Sequence, residues 1–128
     1  MDYGKGTIAF KSGTVFKDGQ IDPRKGHPVM LPIASDDISQ ETYYLLLDSH
    51  PEKRIDKYIG YFNLLAWHEI GLPYPSTVNI RDIYKAHING KALCGMPPKV
   101  YKEVIRNFKE FQEEHPDEFY EEIKGKLR

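Results

Sequence analysis

The apolar period of this chain changes at Pro97-Pro98, and nothing else in the sequence constrains the fold as much. Beyond that point Tyr101, Val104, Ile105, Phe108 and Phe111 fall on one face of a 3.6-residue repeat, while Lys102, Glu103, Lys109 and Glu110 fall elsewhere. The spacing predicts a helix over 98–112 and, after the break at His115-Pro116, a short second one over 116–124. Before that point the apolar runs are short and cut by glycine and proline, as strands are rather than helices. Such runs are Thr7–Lys11, Thr14–Lys17, Val29–Ile33, Thr42–Leu47, Thr77–Ile80 and Ile83–Ile88. Ser12-Gly13 is suited to turn the first pair into a hairpin, and Asn89-Gly90 to join Ile83–Ile88 to Lys91–Gly95. Between Tyr58 and Trp67 the aromatic and β-branched start favours a strand, with a helical turn beginning somewhere in 63–69. Gly71-Leu72-Pro73-Tyr74-Pro75 then stops regular structure.

At 128 residues there is room for one domain with its own core. The expectation is a single domain over 1–128, with an antiparallel β part over 4–97 closed on one side by a helical segment over 98–124. Within it, Tyr43, Leu45 and Leu47 point one way and Tyr44 and Leu46 the other. Both sets are apolar or aromatic, so the strand should be covered on both faces.

Hydrophobic residues make up 40% and charged residues 29%, the balance of an ordinary globular chain. With a formal net charge of −1 there is no global basic field, so any nucleic-acid binding must be local. Arg81, Lys85, Lys91, Lys99, Lys102, Arg106 and Lys109 precede an acidic end with Glu110, Glu113, Glu114, Asp117, Glu118, Glu121 and Glu122, a pattern typical of solvated helix. The one cysteine, Cys94, excludes an intramolecular disulfide and a cysteine-rich zinc site, and suits a reducing cytoplasm. No apolar run approaches the ~20 residues that cross a bilayer, and the N-terminus lacks the apolar core of a secretion signal. No membrane association is expected.

Chemistry-bearing residues gather where loops meet the two best strand signals. Arg24, Lys25 and His27 lie just before Val29–Ile33, and Asp48, Ser49 and His50 just after Thr42–Leu47. His27 is either an acid–base group, since imidazole titrates near neutrality, or a merely exposed loop residue before Pro28. Ser49 either faces a ligand or ends its strand with side-chain to backbone bonds. Elsewhere, Asp36-Asp37 reads as turn residues rather than a metal site. His68-Glu69 lacks the second histidine four residues on that a zinc-protease helix needs. A Ser-His-Asp triad lacks its Gly-x-Ser-x-Gly turn, and Cys94, with no cation beside it, reads as core. No metal or cofactor is expected.

In order, Gly4-Lys5-Gly6-Thr7-Ile8-Ala9-Phe10, Lys25-Gly26-His27-Pro28-Val29-Met30-Leu31-Pro32-Ile33, the strand ending in Asp48-Ser49 and the segment from Ser76 to Ala86 resemble the MazF/PemK family of toxin endoribonucleases across roughly residues 4 to 112. The resemblance implies a small SH3-like twisted β-barrel of the MazF/PemK/CcdB toxin type, mainly β with a C-terminal helix. It further implies a homodimer, an RNA substrate and a cognate antitoxin. His27 stands where the family has arginine and Ser49 where it has threonine or serine, which makes these two the catalytic candidates. Arg24, Lys25, Asp48 and His50 are then the substrate-binding ones. With the arginine replaced, two other outcomes stay open: a barrel that binds without cutting, and a related toxin neutralised by an RNA.

Overall fold

The computed structural model describes residues 4–10, 14–15, 21–22, 29–48, 59–72, 74–87 and 92–127. Strands β1 (Thr7–Phe10), β2 (Thr14–Val15), β3 (Ile21–Asp22), β4 (Val29–Ser35), β5 (Thr42–Asp48) and β6 (Tyr61–Leu64) precede a one-turn helix α1 (Trp67–Ile70). Strands β7 (Ser76–Asn79), β8 (Tyr84–Ala86) and β9 (Ala92–Gly95) then lead into helices α2 (Pro98–Glu114) and α3 (Tyr120–Ile123). Seven strands form one antiparallel sheet in the order β6-β7-β5-β4-β1-β9, with β8 also paired to β5, while β2 and β3 pair with each other.

The centre of the sheet is the long β4–β5 pairing, from Val29↔Leu47 to Ser35↔Thr42. Its register shifts between Pro32 and Ala34, and the shift has a consequence for packing. An extra residue in one strand breaks the strict alternation of faces, so the consecutive residues Ile33 and Ala34 both enter the main core, each with no exposure. Pro32, which has no N–H to give to a ladder, sits where the irregularity tolerates it.

Leu31, Leu45, Val78 and Ile80 on one face of the sheet pack against Tyr101, Val104, Ile105 and Phe108 of α2. Each such side chain, fully buried, contributes about 1.5–3 kcal/mol. Pro98 opens the helix with its φ already helical, and α2 ends at Glu114, before His115-Pro116. The opposite face carries a smaller cluster of Ala9, Met30 and Tyr44, with Leu46, Tyr84 and Ala86 against it. Both faces of β5 are therefore covered, as its composition predicts.

Two expected hairpins are corrected. Thr7–Phe10 pairs with β4 and β9 rather than with Thr14–Val15, whose partner is Ile21–Asp22 within the stretch expected to be loop. Likewise β8 pairs with β5 and β9 with β1, and among the described residues no pairing joins the strands on either side of Asn89-Gly90. The partners of β1, β8 and β9 lie far off in sequence, and a local turn dipeptide does not specify them. The second C-terminal helix is confined to Tyr120–Ile123. Among the described residues no helix is long and apolar enough to cross a membrane.

Candidate functional site

The register of the sheet brings the start of β4 and the end of β5 to one rim. Val29, the first residue of β4, is the partner of Leu47, and Asp48 closes β5 one residue later. Arg24, Lys25, His27, Ser49 and His50 lie outside the described residues; Asp48 is the one expected site residue within them. Across the sheet Asp48 is paired with Thr77, and Thr77 with Asn63, so the three form a polar row over β5, β7 and β6. The neighbouring row, Leu47, Val78 and Phe62, belongs to the core under α2. Because successive residues alternate between faces, the polar row occupies the face away from α2. Thr77 is fully buried, and its hydroxyl has no hydrogen-bond partner among the described residues.

Further along that face lie Asn79 and Tyr61, paired across β7 and β6, and the stacked rings of Tyr44 and Tyr84, 5.6 Å apart. Burial, with the Tyr84 hydroxyl adding to it, pushes the Tyr44 hydroxyl up to about 12, and burial also raises Tyr84. At neutral pH both remain protonated, and with Tyr44 buried the pair packs the second cluster and supplies no general base. Arg81 reaches over the same face, its guanidinium 5.4 Å from the centroid of the Tyr61 ring. Burial alone works against its charge, but Asp82 and the Tyr61 hydroxyl outweigh that and hold it above its ordinary value.

A second polar cluster lies elsewhere. Lys85 Nζ is 3.0 Å from Asp36 Oδ2 and 4.0 Å from Glu41, and stands 5.1 Å from the Tyr43 ring centroid, while the Tyr43 hydroxyl donates to Glu122 Oε2 at 2.6 Å. Asp36 Oδ1 accepts from the Ile38 and Ser39 N–H groups, which makes it the acceptor of the turn. The hydrogen bond from Lys85, helped by those two N–H groups, holds the Asp36 carboxyl well below the usual carboxylate range. This cluster ties the 36–41 turn, β5, β8 and α3 together.

Of the other residues weighed from sequence, His68 lies edge-on to Trp67 and His115 against Phe111, at separate places in the fold. Cys94 is half-buried with its thiol pushed up by burial, the opposite of an activated nucleophile. Among the described residues no three His, Cys, Asp or Glu side chains are placed to hold a metal ion. Thr77, Asn63 and Arg81 escape sequence reasoning as site residues, since a period of two assigns a residue to a face but does not say which face α2 covers. The Asn79-x-Arg81-Asp82 spacing is the available signal, because Asn79 makes the turn that presents Arg81.

No protein-family model matches the chain, and no curated protein is found to be similar to it. What the geometry defines is a small antiparallel β protein whose sheet buries one face under a helix and carries a polar row, with a clamped arginine, on the other.

Proposed function

We propose that the protein is the toxin of a toxin–antitoxin pair, a metal-independent endoribonuclease that cuts single-stranded RNA in the cytoplasm. In this reading the sheet is the core of an SH3-like twisted barrel of the MazF/PemK type, works as a homodimer and is restrained by a cognate antitoxin. The observation that carries it is the Val29↔Leu47 register. β4 begins and β5 ends at one rim, with His27 two positions before Val29 in the sequence and Ser49 one position after Asp48.

The chemistry needs no metal. The ribose 2′-oxygen attacks the adjacent phosphorus, its proton passes to a base, and the 5′-oxygen departs with a proton from an acid. A 2′,3′-cyclic phosphate and a 5′-hydroxyl result. His27 moves protons, Ser49 donates to the phosphate, and Arg24 or Lys25 supplies the permanent cation that the histidine does not. Asp48 and His50 complete the substrate-binding set, with Asp48 available to orient either histidine.

Induced expression with mapping of RNA 5′ ends tests the reading. Growth arrest with 5′-hydroxyl ends at a recurrent short motif is the expected result. His27→Ala and Ser49→Ala should abolish it, since loss of an acid–base group costs roughly 10²–10⁴-fold in rate. His27→Arg should keep activity if charge is what the position needs and lose it if a titrating imidazole is required. RNA left uncut by both the wild type and His27→Arg rejects the nuclease and leaves a binding module, and an RNA repeat adjoining the reading frame points to an RNA antitoxin.

A further inference from the structure

Arg81 is a half-exposed arginine held with more contacts than a surface side chain needs. Its backbone N–H donates to Asn79 Oδ1 at 2.9 Å, and its carbonyl accepts from the buried Gln112 Nε2 at 3.0 Å. Beneath its stem lies Gly60, with φ +96°, where an added Cβ would stand 2.5 Å from the Arg81 Cβ, so only glycine allows the approach. The guanidinium donates from Nε to Asp82 Oδ2 at 3.2 Å, from Nη1 to the Ile59 carbonyl at 3.5 Å and from Nη2 to the Tyr61 hydroxyl at 3.4 Å. Asp82 in turn accepts from Asn79 Nδ2 at 3.2 Å.

A guanidinium has five N–H donors in a planar fork. Among the described residues three are used and two are left, on a side chain that is 46% exposed. The two remaining donors sit on a group oriented by Asp82 and, over longer distances, by the Ile59 carbonyl and the Tyr61 hydroxyl, which suits recognition of the oxygens of a phosphate. The group stands over Tyr61, the cross-strand partner of Asn79. Asn79 is two residue steps along β7, about 7 Å, from Thr77 in the polar row that ends at Asp48.

We propose that Arg81 is a substrate-binding residue that takes a phosphodiester group of single-stranded RNA at the exposed corner after β7. The proposal rests on the RNA reading above and adds to it a contact away from the rim. The neighbouring Asp82 makes the pair locally neutral, so the contact is geometric rather than a diffuse attraction. Arg81 thereby differs from Lys99, Lys102, Arg106 and Lys109, which stand exposed on α2 beside acidic residues.

The test is fluorescence anisotropy with a short labelled 2′-O-methyl oligoribonucleotide, which binds without being cut, measured over a range of salt. Wild type is compared with Arg81→Gln, Arg81→Lys and Arg106→Gln, each checked for folding by thermal unfolding. Loss of charge-assisted hydrogen bonds predicts roughly ten- to a hundredfold weaker binding for Arg81→Gln. The slope of log affinity against log salt should fall by about 0.7, the value for one phosphate contact on a single strand. Arg81→Lys should keep the slope while binding several-fold more weakly, and Arg106→Gln should match wild type. Should Arg81→Gln prove unfolded, Arg81→Lys decides the matter. Equal affinity and slope in wild type and the Arg81 variants overturns the proposal while leaving the RNA reading intact. Tight binding with no cleavage of natural RNA rejects the nuclease but leaves Arg81 to be judged on its variants, and absence of wild-type binding overturns both.

Discussion

Replacing Gln112 should unfold this protein more readily than its place on a helix surface pattern suggests. The side chain is fully buried, and all of its hydrogen-bonding groups are engaged. Nε2 donates to the Ile80 and Arg81 carbonyls at 2.8 and 3.0 Å, and Oε1 accepts from the Asp117 N–H at 2.7 Å. It joins α2 to the corner after β7 and to the segment leading to α3, places where the backbone has no ladder of its own. Each bond is worth about 1 kcal/mol net, and a backbone group left buried and unpaired costs ~1–3 kcal/mol. Gln112→Ala is therefore expected to cost about 3–5 kcal/mol, a large share of the ~5–15 kcal/mol that holds a domain. In thermal unfolding followed by circular dichroism, this corresponds to a fall in Tm of roughly 10–20 °C. Gln112→Glu adds a dependence on pH. Burial raises the new carboxyl in the folded state above its unfolded value of about 4.3, so between the two values the native state binds the extra proton. Stability should be greatest below pH ~4.3, fall as pH rises through the window and level off above the native value. Both variants unfolding within about 1 kcal/mol of wild type, with the glutamate variant insensitive to pH relative to it, would refute this account.

Gly60→Ala should lose at least ~1–2 kcal/mol from the left-handed backbone alone, and more from the approach to Arg81, measured as a shift of the urea midpoint. Asp36→Asn should flatten the acid limb of the stability curve. With the folded-state carboxyl depressed by Lys85, the stabilisation is fully present above the unfolded aspartate value and lost as pH falls through the native one, and urea melts across the acid range would show it. Wild type and Asp36→Asn losing stability equally on acidification would count against the Lys85 pairing as its source.

What was legible in the sequence follows from local physics. The α2 stripe declares itself because Tyr101, Val104, Ile105 and Phe108 need only their own spacing to define a face. The double covering of β5 is equally visible in Tyr43, Tyr44, Leu45 and Leu46. By contrast, β4 runs past the expected Ile33 to Ser35 because the register shift turns both Ile33 and Ala34 inward, a break in period that resembles the end of a strand. Gln112 looks like part of a polar helix end, and only the carbonyls of Ile80 and Arg81, some thirty residues away in sequence, make it a core residue. The partners of β1, β8 and β9 are hidden for the same reason, since a turn dipeptide is local and these pairings are not.

The same distinction governs the two faces of the sheet. Val78 on β7 and Ile80 just after it are committed to the core under α2, which leaves Thr77 and Asn79 on the other face. A slip of one residue in the β5–β7 pairing would exchange these sets, burying Asn79 beneath the helix and stranding Val78 outside it. The apolar packing of α2 therefore fixes more than stability. It sets the phase that presents Asp48, Thr77 and Asn63 as one row, and through Gln112 it also holds the Arg81 carbonyl. Residues on the helix side with no access to a ligand thus determine the geometry of the polar face. A substitution that loosens α2 while leaving the protein folded is expected to weaken RNA binding through Arg81, an effect that would separate packing from charge in the anisotropy assay.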